Sequence, residues 1–310
     1  MCLCWDMTLH PALLAALASL LFSPQPASAE TIPLWPDLAP GETTKKTGTA
    51  LPQRPEEKPP ITRVENITAP TLALFRAPGD RANGVGVLIL PGGGFGKVVP
   101  DMEGSEAAAW LNGLGISAYV LSYRTTTGVD PSAEAAAKAE PWKRPLQDSQ
   151  RALRHLRSHA ADYGLDPAKI GLFGFSAGGQ VAAIHLTQEK AHYDPIDKID
   201  EVSHRPDFSL LVYPWNVSDA KTGQLIPQIT PSATMPPGFI VHTDDDKSSS
   251  LGSALIYIGM KKHGVSGELH VYQNGGHGYG TRDRPDSVIG SWTDRATDWL
   301  RLRGLAAGGD

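Results

Sequence analysis

Residues 170–179 of this 310-residue chain, Ile-Gly-Leu-Phe-Gly-Phe-Ser-Ala-Gly-Gly, decide the fold. Residues 170–175 form the apolar run of a buried strand, and residues 177–187 predict a helix. Between them lies Gly174-Phe175-Ser176-Ala177-Gly178, a G-x-S-x-G turn. At such a strand-to-helix turn the serine backbone is strained, and the two glycines leave space for the adjacent strand and helix. The pattern predicts that Ser176 is a nucleophile.

Outward from this turn, short apolar strands alternate with amphipathic helices. This alternation predicts a mostly parallel central sheet with helices on both faces. Residues 30–60 are rich in proline, threonine, lysine and glutamate, so we expect an extended N-terminal segment there and a catalytic domain over residues 61–310. Further strands are expected at residues 85–90, 117–121, 208–213, 238–243 and 268–272, helices at 105–114, 145–159, 250–263 and 294–302, and insertions over the site at 125–143 and 188–206.

A glycine run, Pro91-Gly92-Gly93-Gly94-Phe95, directly follows the first strong strand. Glycines there let backbone N–H groups approach a ligand closely. In folds with a G-x-S-x-G turn, such a loop supplies oxyanion donors together with the residue after the nucleophile, here Ala177. No G-x-x-x-x-G-K-[ST] sequence is present, so a nucleotide phosphate loop is not indicated.

The order serine, acid, histidine along the chain completes a predicted triad. Asp244, Asp245 and Asp246 follow the strand at 238–243; we favour Asp246, then Asp245, as the carboxylate that orients the base. His277 lies in a glycine-rich loop after the last strand, and His270 is its only serious rival. No H-E-x-x-H or Cys/His cluster occurs, so neither a catalytic metal nor another cofactor is expected.

The N-terminus has the pattern of a secretory leader. Residues 9–22 are mostly apolar and precede Ala27-Ser28-Ala29, a small-x-small cleavage pattern. We therefore expect a signal peptide at residues 1–29, a secreted or periplasmic protein and no integral membrane segment after cleavage. The alternative is an apolar helix that stays attached, since no basic residue precedes the run. Both cysteines lie in the leader. The net charge of -5 gives no indication of a nucleic-acid binder, which would carry a basic stripe.

The motifs together resemble α/β-hydrolase esterases of the hormone-sensitive-lipase-like and acetyl xylan esterase-like groups. The resemblance implies the α/β-hydrolase fold, a triad of Ser176, Asp246 and His277, and oxyanion donors at Gly93, Gly94 and Ala177. The lipases of these groups have a histidine at the position of Pro91, whereas the sugar esterases have a proline there, as this chain does. The resemblance is carried by Leu34-Trp35-Pro36, Ala39-Pro40-Gly41, the glycine run at 91–95, Glu103-Gly104, residues 119–124, Asp148 with residues 151–153, residues 174–179, Asp245-Asp246 and residues 275–280.

Phe95, Trp215 and Tyr279 are candidates to line the substrate site; Trp142 and Trp292 are weaker ones. The expected reaction is acyl transfer from a short ester to water, with an acetylated plant carbohydrate such as xylan as substrate. Alternatives are a feruloyl or general short-chain carboxylesterase, a serine peptidase of the same fold, or a non-catalytic binding module. The sequence carries no indication of an oligomeric state.

Overall fold

A computed structural model describes residue 1 and residues 30–307 of the chain. Its centre is an eight-stranded sheet in the order β1-β4-β7-β5-β8-β9-β12-β13. β4 is antiparallel to both of its neighbours, and all the other pairs are parallel. The strands are β1 (Glu30–Pro33), β2 (Thr47–Ala50), β3 (Val64–Ile67), β4 (Thr71–Phe75), β5 (Gly86–Leu90), β6 (Lys97–Val98), β7 (Ser117–Ser122), β8 (Ile170–Phe175), β9 (Phe208–Val212), β10 (Ser218–Asp219), β11 (Gln224–Leu225), β12 (Gly238–Thr243) and β13 (Gly267–Tyr272).

Helices cover both faces of this sheet, as the sequence predicts. Alternate residues of β8 point to opposite sides, so Leu172 joins one core and Phe173 the other. α3, α5 and α6 pack on the first face, and α1 and α7 on the second. The helices are α1 (Glu106–Gly113), α2 (Glu134–Ala139), α3 (Lys143–Ser158), α4 (Ala160–Tyr163), α5 (Ser176–Thr187), α6 (Leu251–Lys262) and α7 (Trp292–Leu302).

The predicted strands and helices are confirmed within two residues at each end. The sequence does not predict strands β1 to β4: β1 to β3 are short and contain polar residues, and alternate residues of β4 are partly exposed. β2, β3 and β6 form a separate antiparallel sheet, and β10 with β11 forms a small hairpin. In residues 30–307 no helix is both long and apolar enough to span a bilayer.

The N-terminal segment at 30–60 is more integrated than its composition suggests. β1 is the edge strand of the main sheet, and Leu34 and Trp35 are buried in its core. The Trp35 indole N–H donates to the buried Asp148 carboxylate at 2.9 Å, which ties the segment to α3. The segment predicted to be extended thus contributes to the core as well, because its proline residues do not prevent Leu34 and Trp35 from packing.

Candidate active site

Ser176 lies at the sharp turn between β8 and α5. Its φ of 51° is in the left-handed region, which costs strain in a residue with a side chain. The flanking glycines are required by packing: a Cβ on Gly174 would lie 2.5 Å from the Gly178 carbonyl oxygen, and one on Gly178 would overlap the Leu90 carbonyl oxygen. The two glycines therefore allow the sharp turn that places Ser176 at the carboxyl end of β8.

His277 meets this serine from the loop after β13. Ser176 Oγ lies 2.7 Å from His277 Nε2, although 101 residues separate the two in sequence. The rival His270 remains within β13, where its ring contacts the Glu268 carboxylate at 2.7 Å. Of the two histidines, the structure brings only His277 to the nucleophile.

The three consecutive aspartates after β12 have different surroundings. His277 Nδ1 donates to Asp246 Oδ2 at 2.6 Å, and the Asp246 side chain is buried. Asp245 is exposed and accepts backbone N–H groups of the loop that carries His277, at 3.2 and 2.9 Å. Asp244 is also exposed. The structure thus places Asp246 against the imidazole, while Asp245 braces the loop.

The Asp246 carboxylate remains ionised despite its burial. Burial alone would raise its pKa, but hydrogen bonds from His242, His277 and the Ser248 backbone N–H outweigh this effect and hold the pKa well below its usual range. An ionised acceptor fixes the proton on His277 Nδ1, and Nε2 is then free to accept the Ser176 proton. The geometry is that of a nucleophile, base and orienting acid.

Sequence analysis missed His242 as a member of this group. It is fully buried in β12, with Nε2 3.1 Å from Asp246 Oδ2 and Nδ1 2.8 Å from Ser253 Oγ. A histidine within an apolar strand gives no sign of this contact, because the turn after Thr243 brings Asp246 back over the strand. His242 supplies a second hydrogen bond that holds the carboxylate in place.

The glycine loop after β5 lies directly beside the serine. Gly93 (φ 133°) and Gly94 (φ 65°) adopt conformations that favour glycine, and both line the cleft at Ser176. In the described part of the chain neither backbone N–H has a protein acceptor. Ala177 is in the first turn of α5, where backbone N–H groups have no intrahelical acceptor. These three donors are available to a ligand on Ser176.

One family and several individual proteins match this chain. The BD-FAE family matches residues 135–209. Acetylxylan esterase of Xylanibacter ruminicola is 26% identical over 225 residues, which cover 65% of this chain and 42% of that protein. The chain spans less than half the length of the relatives that it matches in this way.

Several solved structures have a similar fold over most of this chain. An acetyl ester-xyloside bifunctional hydrolase from Caldicellulosiruptor lactoaceticus has a TM-score of 0.69 at 27% identity, over 90% of this chain and 98% of that one. MGS-M1, an alpha/beta hydrolase enzyme from a deep-sea metagenome, has a TM-score of 0.58 at 23% identity, over 76% and 91%. The chain has the α/β-hydrolase fold. The resemblance to α/β-hydrolase esterases is confirmed.

The cleft of this α/β-hydrolase has a volume of about 370 Å³. Trp215 lies on one side, with its ring centroid 5.2 Å from that of His277 and its backbone N–H bonded to the Ser176 carbonyl oxygen. The cleft is lined by Ile61, Arg63, Gly93, Gly94, Lys97, Val99, Met102, Glu103, Ser176, Trp215, His277 and Gly278.

Several expectations about the lining of the cleft need correction. Phe95 is buried in the core, because its left-handed backbone (φ 64°) turns the side chain away from the cleft. Tyr279 is also fully buried and packs edge-on against Tyr213. Trp142 packs on His192 and Trp292 on Trp110, so neither reaches the site.

The segments at 125–143 and 188–206 do not cover the site either, since no residue of either lines the cleft. Residues 61–63 and 93–102 form its walls instead. In residues 30–307 no group of three or more His, Cys, Asp or Glu side chains is arranged to hold a metal ion.

Glu103 is among the residues that carry the resemblance, but its sequence pattern predicts no role for it in the site. It lies in a π-helical turn, Asp101–Ser105, immediately before α1, and only 3% of it is exposed. Burial raises the pKa of this carboxyl, and hydrogen bonds from Tyr213 and from the Gly92 backbone N–H oppose the rise. These two hydrogen bonds satisfy both oxygens of an acid that is buried beside Ser176.

Proposed function

We propose that this chain is a serine carboxylic-ester hydrolase that removes acetyl groups from carbohydrate esters such as acetylated xylan or xylo-oligosaccharides. The hydrogen-bonded series Ser176–His277–Asp246 carries the proposal, because it provides a nucleophile, a base and an orienting acid within 2.6–2.7 Å contacts. We infer further that the leader at residues 1–29 exports the protein to the periplasm or the medium.

The proposed reaction begins when His277 Nε2 takes the Ser176 proton and Oγ attacks the ester carbonyl carbon. The N–H groups of Gly93, Gly94 and Ala177 donate hydrogen bonds to the carbonyl oxygen, which stabilises the negative charge that develops on it. The bond between the carbonyl carbon and the sugar oxygen then breaks while His277 protonates that oxygen, so the sugar leaves as an alcohol and Ser176 is left acetylated. Water, deprotonated by the same ring, releases acetate and restores the free enzyme.

The choice of substrate rests on the relatives and on the cleft. Two similar proteins are described as an acetylxylan esterase and an acetyl ester-xyloside bifunctional hydrolase. The cleft combines an aromatic ring, Trp215, with charged groups at Arg63 and Lys97. An aromatic face beside polar groups suits a sugar, which has both apolar ring faces and hydroxyl groups.

The experiment compares acetate release from acetylated xylan with hydrolysis of 4-nitrophenyl acetate, methyl ferulate and a prolyl peptide. We expect acetyl esters to be the preferred substrates. Ser176→Ala should remove turnover and labelling by a fluorophosphonate while leaving the melting temperature close to that of the wild type. Full acetyl-ester hydrolysis by this variant would exclude the mechanism, and preference for the feruloyl ester or the peptide would exclude the substrate class.

A further inference from the structure

Glu103 joins two segments of the site through its carboxylate. Oε2 accepts the backbone N–H of Gly92 at 2.7 Å, and Oε1 accepts the Tyr213 hydroxyl at 2.8 Å. Gly92 immediately precedes the glycines of the candidate oxyanion loop, and Tyr213 follows β9. Each of the two side-chain oxygens of Glu103 therefore has a hydrogen-bond donor from a different loop.

Tyr213 extends this connection to the loop that carries His277. Its hydroxyl oxygen accepts the Gly280 backbone N–H at 2.9 Å, and its ring centroid lies 4.8 Å from that of His277. Three loops, after β5, β9 and β13, thus meet at one buried carboxylate. Tyr213 also has a left-handed backbone (φ 38°), which costs strain and is held by these contacts.

The approach at Gly92 is too close for any other residue. A Cβ on Gly92 would lie 2.6 Å from Glu103 Oε2 and 2.6 Å from the Ser176 Cβ. The carboxylate therefore acts on the peptide unit next to the nucleophile, and the direction of this unit determines where the Gly93 and Gly94 N–H groups point. An oxyanion donor contributes only when it is aimed at the oxygen of the transition state.

We propose that Glu103 is a positioning residue: it sets the oxyanion loop and the His277 loop at a fixed spacing around Ser176. This inference rests on the ester hydrolysis proposed above. Glu103 does not exchange a proton with the substrate; it acts through Gly92 and Tyr213. Its contribution appears in the transition state, so its loss lowers kcat and leaves KM nearly unchanged.

The test uses Glu103→Gln, Glu103→Ala and Tyr213→Phe in the full chain. Glutamine retains one acceptor oxygen but directs an amide group at the other donor, whereas alanine removes both acceptors. Asp148→Asn is the matched control, because Asp148 is an equally buried carboxylate whose partners, Trp35 and Arg124, do not line the cleft. Titration with a fluorophosphonate counts active sites, so each kcat refers to folded protein only.

We expect kcat for 4-nitrophenyl acetate to fall about tenfold in Glu103→Gln and in Tyr213→Phe. In Glu103→Ala it should fall about 10²-fold, the lower end of the loss for removal of an oxyanion donor. KM should change less than about threefold, and the double variant Glu103→Gln with Tyr213→Phe should lose less than the product of the single losses. Asp148→Asn should lower the melting temperature but keep kcat per titrated site.

A kcat per site within about threefold of the wild type in Glu103→Gln and Tyr213→Phe overturns the inference, as does a rise in KM at constant kcat. The second-order rate of phosphonylation of Ser176 gives the same comparison without an ester and should fall in the same order. A wild-type protein that is labelled at Ser176 but hydrolyses no ester refutes the proposed function, and the labelling rates still decide the role of Glu103.

Discussion

The hydrogen bond between Asp246 and His277 gives a sharp test of the proposed triad. Asp246→Asn keeps the size and shape of the side chain but replaces a charged acceptor with an amide. In the wild type, Asp246 Oδ2 accepts hydrogen bonds from His277 at 2.6 Å and from His242 at 3.1 Å. In the variant these rings face either an N–H₂ group or a neutral oxygen, so the imidazole loses the acceptor that sets its tautomer.

The expected loss follows from the type of contact. The same substitution in the Ser-His-Asp template lowers kcat on the order of 10⁴-fold, which is about 5 kcal/mol of transition-state free energy. The carboxylate here is buried and has a short bond to the ring, as in that template. We therefore expect kcat for 4-nitrophenyl acetate to fall on the order of 10³–10⁴-fold. KM should change little, because the Asp246 side chain is buried and does not line the cleft.

Asp245→Asn is the matched control, since it makes the same chemical change one residue away. Its carboxylate is exposed and accepts the backbone N–H groups of Gly275 and Gly276, and it does not contact the His277 ring. We expect a loss below about tenfold, the cost of one weakened hydrogen bond. Steady-state kinetics per titrated site measure both variants. The assignment fails if Asp246→Asn stays within tenfold of the wild type or if Asp245→Asn falls as far.

Two further substitutions test packing and ionisation. Gly178→Ala should destabilise the fold by about 3 kcal/mol, because its Cβ would overlap the Leu90 carbonyl oxygen; Gly113→Ala, whose Cβ meets nothing within 4 Å, is the control in thermal melts. Burial lowers the pKa of His204 to about 4. In the unfolded chain the pKa of His204 is about 6.5. As the pH falls from about 6.5 to about 4, His204 is therefore protonated in the unfolded chain but neutral in the folded protein, and the free energy of unfolding decreases. His204→Asn should flatten this decline in melting temperature, and the exposed His263→Asn should not; equal slopes in all three proteins would contradict the reasoning.

The central strands and the position of Ser176 could be predicted from the sequence for a physical reason. β5, β8 and β12 are buried on both faces and are continuous apolar runs, so their bounds follow from local composition. β4 lies beside the edge strand β1 and has alternate residues partly exposed, so its local signal is weaker.

The surroundings of the triad could not be predicted, because they depend on long-range contacts. Glu103 is 110 residues from its partner Tyr213, and nothing in the local pattern connects the two. Among the three aspartates, the backbone turn after Thr243 decides which one is buried. The orientation of Phe95 likewise depends on a left-handed backbone that a glycine-rich sequence permits but does not require.

The separation of the nucleophile from its base along the chain has a consequence for biosynthesis. When β8 and α5 have been made, Ser176 is present but has neither His277 nor Asp246, which arrive with the last two strands of the sheet. β12 and β13 pair in parallel beside β9, so both groups are delivered by the completion of one sheet edge. In the proposed mechanism, a nascent or nicked chain that lacks this edge has Ser176 without its base, so reactivity begins only after β12 and β13 have joined the sheet.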